Sequence, residues 1–169
     1  MRYSKLILFA GVALCAASVA ATASHGRVGL WSMSVTMGGD HPPMPDMSQL
    51  PPEAQARMRA MGMSMGGNTM TVRHCMTAEE VASDMPHMDP RATHDCEMTN
   101  VHHDGHSFSA DMVCNKGFIG SGHMMFSFDG DSHYTGDVAM NGTADGHPMN
   151  QHEKIDAHWI SADCGGLTH

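Results

Sequence analysis

Methionine and histidine at short spacing are the side chains here that could do chemistry. The chain holds 19 Met and 14 His in 169 residues. They gather in "HPPMPDM" (His41 to Met47), "DMPHMDP" (Asp84 to Pro90), "GHMM" (Gly122 to Met125) and "GHPM" (Gly146 to Met149). A thioether is neutral, ligates at any pH and prefers Cu(I) to Zn(II) or Mg(II), while imidazole adds affinity for Cu(II), Zn(II) and Ni(II). His41, Met44 and Met47 can wrap one soft ion, and Met85, His87 and Met88 offer a second set. His147 and Met149 are read as a third, in a loop. His123, Met125 and His133 form a set of another kind, expected on one face of neighbouring strands. His102, His103 and His106 crowd one hairpin end. Against these stands a plainer reading. Met is an adaptable core filler, so Met33, Met112, Met124 and Met140 are read as core, and an exposed strand His is commonly solvated surface.

Other chemistries lack a signal. No HExxH, spaced Cys/His zinc motif, GxSxG or Gly-rich phosphate loop occurs. The expectation is a binding protein, not an enzyme, with copper as the one cofactor to consider.

The start of the chain bounds the compartment. Arg2 and Lys5 precede an apolar run from Leu6 to Ala20 and then "ATA", the pattern of a secretory signal peptide. Residues 1–23 are read as that leader, and 24–169 as a single mainly-β domain exported to the periplasm. Cys15 lies within the leader; Leu14 before it is unlike a lipoprotein signal. No second long apolar segment follows, so no membrane span is expected in the mature chain. A chain of this length can bury roughly two thirds of its unfolded surface. Without Arg2 and Lys5, 7 basic residues face 18 acidic ones. Such a surface disfavours nucleic acid and suits cations.

The elements that must position the ligands read as strands. Arg27 to Met37 alternates Trp31, Met33, Val35 and Met37 on one side; Thr69 to Met76 is a second strand. Glu97 to Cys114 reads as a hairpin about Asp104-Gly105, pairing Val101 with Phe108 and His103 with His106. Gly122 to Met140 reads as a hairpin with a three-residue loop, Gly130 to Ser132. That loop pairs Phe128 with Tyr134, Met125 with Asp137 and His133 with Asp129, and keeps Met124, Phe126, Val138 and Met140 on one face. A last strand, Lys154 to Ile160, buries Ile155, Ala157 and Trp159 and turns His158 outward. Pro51 to Gly62 reads as a short helix. Thr77 to Met85 reads as another, with Thr77 and Glu80 as a capping box. Residues 38–68 read as a Met/Pro/Gly-rich excursion in which Met61 to Asn68 is loop. The expected fold is a curved antiparallel meander of six or more strands with one or two short helices.

Four mature cysteines behind an export signal imply two disulfides. In the expected hairpin register Cys96 opposes Val113 and Cys114 points to the other face, which disfavours Cys96–Cys114. The expected pairs are therefore Cys75–Cys96 and Cys114–Cys164, at about 3–4 kcal/mol each on chain-entropy reasoning.

Several pieces together resemble a family. They are "GLW" at Gly29, "HCMTAEE" at His74, "DC" at Asp95, Cys114, "GDSHYTG" at Gly130 and "ADCG" at Ala162. Their order and spacing resemble the exported bacterial family catalogued as domain of unknown function 3617. The resemblance covers about residues 29–165. It implies a periplasmic, disulfide-bonded, mostly β domain and brings no established activity. Met- and Pro-rich stretches after the first strand belong to the family's habit; the histidine excess departs from it.

Two functional readings follow. One is binding of copper or another late transition metal, with the Met-rich excursion as a Cu(I) arm and the strand His for Cu(II) or Zn(II). The other is a module of the cell envelope that binds a small apolar ligand or a protein, with Met and His incidental. Metal binding needs donors converging on one point. A ligand cup needs an open apolar cavity.

Overall fold

A computed structural model describes residues 26–39, 49–83 and 95–167. Its strands are β1 (Gly29–Gly39), β2 (Met63–Gly66), β3 (Thr69–Met76), β4 (Cys96–His103), β5 (Ser107–Lys116), β6 (Phe118–Asp129), β7 (His133–Ala144) and β8 (His147–Ser161). Two short helices join them, α1 (Pro52–Ala60) and α2 (Ala78–Ala82). All eight strands form one open sheet in the order β2-β3-β1-β8-β7-β6-β5-β4, with every pair antiparallel. Strands β4 to β8 run as a meander, and β1 docks between β8 and β3.

Alternation decides which face is buried. Trp31, Phe108, Met112, Met124, Phe126, Phe128, Tyr134 and Ala157 form one cluster, with Met33, Val138, Met140, Ile155 and Trp159 packed against it. The aromatics touch each other: Tyr134 lies 5.6 Å from Trp31, 6.2 Å from Phe126 and 6.0 Å from Phe128, ring centre to ring centre. Each such contact adds about 0.5–1.5 kcal/mol beyond area burial. Gly136 makes room for this stack, since a Cβ there would stand 2.5 Å from the Phe126 ring. Burial pushes the Tyr134 phenol up to about 12, and its hydroxyl donates to Met33 Sδ at 3.7 Å.

The β6–β7 hairpin has the expected register, with Phe128 opposite Tyr134, Met125 opposite Asp137 and Asp129 opposite His133. The expected capping box is present: Thr77 Oγ1 accepts from Glu80 N at 3.2 Å, and Glu80 Oε2 accepts from Thr77 N at 2.6 Å.

Four expectations are corrected. The β4–β5 turn centres on Gly105 and His106, not Asp104 and Gly105, because Asp104 Oδ1 accepts from the backbone N–H of both His106 and Ser107. Phe108 therefore opposes His103 rather than Val101. Second, an irregularity between Thr99 and His102, with Asn100 at φ 50°, then shifts the ladder back by one residue. That shift puts Cys96 opposite Cys114 with Cα atoms 4.0 Å apart. The bonds are Cys96–Cys114 and Cys75–Cys164, not the expected pairs. Third, Met63–Gly66 is strand, not loop: Gly67-Asn68 makes a two-residue turn that pairs Gly66 with Thr69. Fourth, His147 and Met149 lie in β8, not in a loop. Asp145-Gly146, both at positive φ, make the tight turn that pairs Ala144 with His147.

Candidate metal centre

The polar face of β7 and β8 brings three donors together. His133 opens β7 after the Gly130–Ser132 turn, and His158 lies directly opposite it on β8. Asp156, two residues before His158, shares its face because side chains alternate along a strand. The backbone fixes this end of the pairing, since Trp159 N donates to Ser132 O at 2.9 Å. Arg27 fixes it again. Its guanidinium makes two 2.8 Å bonds to Asp131 in the turn and lies 4.7 Å over the Trp159 ring.

The donor atoms of His133, Asp156 and His158 all lie within 4.8 Å of one another. His158 Nε2 is 2.5 Å from Asp156 Oδ1. His133 Nε2 is 3.7 Å from the same oxygen, too far to bond. That Nε2 is buried from solvent and has no hydrogen-bond partner, although the His133 side chain as a whole is 30% exposed. A buried nitrogen left unpaired costs free energy, and a cation between the three donors would satisfy it. On the far edge of the ring, His133 Nδ1 is 3.9 Å from Oδ2 of the exposed Asp129, beyond hydrogen-bond reach. Tetrahedral ligation with bonds of 2.0–2.1 Å places donors about 3.3 Å apart. The two imidazoles lie parallel within 5°, so ligation by both requires the rings to tilt toward one point and His158 to part from Asp156. Two imidazoles and one carboxylate suit Zn(II), Cu(II) or Ni(II).

The neighbouring imidazoles are built differently. His123 Nδ1 meets Asp111 Oδ1 at 2.8 Å, and His152 Nε2 meets Asp137 Oδ1 at 2.6 Å. Hydrogen bonds from Asn100 and then His123 hold the Asp111 carboxyl below its usual range. The His152 bond does the same for Asp137, helped by Lys154. These are paired surface groups with no third donor grouped on them among the described residues.

Of the residues singled out in the sequence, His41, Met44, Met47, Met85, His87 and Met88 lie outside the described residues. His123, Met125 and His133 share the polar face, but they do not meet at one point. His123 opposes Ala139 and His133 opposes Asp129, six residues apart along β7, about 20 Å of strand. Met125 is half exposed beside Asp137. The sequence reading does not single out Asp156 and His158 as ligands. Their i, i+2 spacing on the last strand is a readable signal, but nothing in the alternation says which residue of β7 faces them.

No curated protein and no solved structure matches this chain. Residues 26–164 match the family described as protein of unknown function (DUF3617). That match spans most of the chain and carries the cysteines of both disulfides, and the chain belongs to this family.

Proposed function

We propose that this chain is a metal-binding protein of an oxidising compartment, not an enzyme, and that it holds a divalent late transition metal at His133, Asp156 and His158. The observation that carries this reading is the convergence of three donor atoms with one buried, unpartnered imidazole nitrogen among them. Two disulfides support an exported protein, as the periplasmic reading of residues 1–23 requires. No helix among the described residues is long and apolar enough to cross a membrane. The Met and His of residues 41–47 and 85–88 would serve Cu(I), a softer ion than the His/Asp set prefers.

The competing reading, an apolar ligand cup, draws less support. The aromatics that would line it are packed on one another, with Trp31 2% and Phe126 3% exposed.

The test is a competition titration of the oxidised mature chain with Zn(II) and Cu(II) against a chromophoric chelator. One saturable equivalent, weakened at least tenfold by His133→Ala or His158→Ala and unchanged by His123→Ala, is the expected result. Equal affinity in all three variants would overturn the site. A parallel Cu(I) titration of the variant lacking His41, Met44, Met47, Met85, His87 and Met88 tests the arm separately.

A further inference from the structure

We propose that the groove adjoining this metal site takes a small dicarboxylate, one carboxylate ligating the bound ion and the other meeting Lys154. The proposal rests on the metal reading above and extends it.

Three observations point to it. First, a groove of about 430 Å³ runs across the polar face of β1, β8, β7 and β6, and Asp156 is part of its wall. Its volume lies in the range of small-molecule sites. An ion held by His133, Asp156 and His158 has three protein ligands, so at least one position is left for an outside donor. The groove adjoins the three at Asp156.

Second, charge in the groove depends on the ion. Lys154, Asp137 and Asp156 are its charged residues, one positive and two negative. Without metal they sum to minus one and repel an anion. A divalent ion brings the sum to plus one. Lys154 Nζ stands 3.5 Å from Asp137 Oδ2, and 69% of its side chain is exposed, so its ammonium is able to turn toward a ligand. Asp137 is not then left alone, because His152 bonds its other oxygen at 2.6 Å.

Third, spacing and lining suit a ligand with oxygen-rich ends and a carbon middle, since Met125 and Ile155 line the groove beside its polar side chains. Lys154 and Asp156 are two residues apart on one strand face, about 7 Å, a span that a short-chain dicarboxylate bridges. The wall carries the hydroxyls of Ser34 and Thr36 on the β1 side and those of Thr135 and Ser127 on the β7 and β6 side. Ser34 and Thr36 each bond a threonine hydroxyl of β3, at 3.3 and 3.0 Å. A hydroxyl has one donor and two acceptor sites, so capacity remains for a ligand.

The experiment is equilibrium dialysis of radiolabelled succinate against the oxidised mature chain, with and without one equivalent of Zn(II). Zn(II) binding is measured on the same samples. The expected result is succinate retention only in the Zn(II)-loaded protein, reduced at least tenfold by Lys154→Ala, with Zn(II) affinity kept or raised in that variant. Malate, which adds a hydroxyl, should be held more tightly than succinate. Succinate retained equally without metal, or equally by Lys154→Ala, would overturn the proposal, as would no retention by the Zn(II)-loaded protein. Failure of Zn(II) to bind would overturn the metal site itself and this proposal with it. Zn(II) bound without succinate would overturn only the groove.

Discussion

His133 and His158 stack face to face across the β7–β8 pair, ring centres 4.3 Å apart and planes within 5° of parallel. The contact follows from register, since the two residues are direct partners. Direct cross-strand neighbours have Cβ atoms about 5 Å apart, close enough for flat rings to lie on each other. An imidazole ligates through a lone pair in its ring plane, so one ion held by both rings must tilt them out of this stack together. Adding Zn(II) should therefore shift the ring resonances of His133 and His158 together in a proton–nitrogen NMR spectrum, with one stoichiometric endpoint. The His123 and His152 rings, held by Asp111 and Asp137, should move little. Uniform weak shifts across all four would mark non-specific surface binding.

The same site should empty in acid. Protons compete with the metal at both imidazoles, so Zn(II) should be released as pH falls, and His133→Ala should remove most of that pH dependence along with the affinity. Chelator competition at several pH values reads this directly. Affinity independent of pH would show that the ion is not held by imidazole.

How far the sequence reaches differs between the two hairpins. In β6–β7 the aromatics Phe126, Phe128 and Tyr134 must share a face, and only a three-residue loop allows it, so alternation alone reveals the register. In β4–β5 the alternation is just as clear. There, Asp104 caps a turn one residue later than expected, and a bulge at Asn100 shifts the ladder back. A bulge adds a residue that a period-two pattern does not reveal. The expected disulfide pairs fail because the later turn and the bulge together move Cys96 from opposite Val113 to opposite Cys114. The candidate site shows the same limit. His133 stands out in the sequence, but its partners sit on β8, whose register depends on the Asp145-Gly146 turn inside a polar stretch. The capping box, by contrast, is local and fully legible.

The two disulfides should differ in their contribution. Cys75–Cys164 closes a loop of 89 residues and Cys96–Cys114 one of 18. Chain entropy assigns about 4–5 kcal/mol to the longer and about 3 kcal/mol to the shorter. Urea unfolding of the paired Cys→Ala variants should show the larger loss for Cys75 and Cys164. Peptide mapping without reduction should recover these two linkages and neither Cys75–Cys96 nor Cys114–Cys164.

Glu80 should matter more than its helix length suggests. One carboxylate oxygen caps α2 through Thr77 N, and the other meets His74 Nε2 at 2.9 Å on β3. Thr77→Ala removes the side-chain cap, at about 1 kcal/mol. Glu80→Ala removes both carboxylate contacts and should cost more than Thr77→Ala in the same urea titration. Equal losses would show that the His74 contact contributes nothing.

Glu153 sits on the inner face between Met37 of β1 and Val138 of β7, and burial raises its carboxyl above the usual range despite the hydrogen bond from Gln151. The sign follows from linkage. A carboxyl whose folded pKa is raised binds its proton more tightly when folded, so its contribution is most favourable below the unfolded pKa and is lost as pH rises through the folded one. At neutral pH the ionised Glu153 therefore weakens the fold. Glu153→Gln keeps an acceptor for Gln151 and removes the charge, so it should raise Tm at pH 7. The gain should shrink as pH falls below the ordinary carboxylate range, where the wild-type carboxyl is itself protonated. Thermal unfolding at pH 4 and pH 7 measures both. A Tm unchanged at pH 7 would mean that the charge reaches solvent freely, and that the inner face of the sheet is open at its Met37 end.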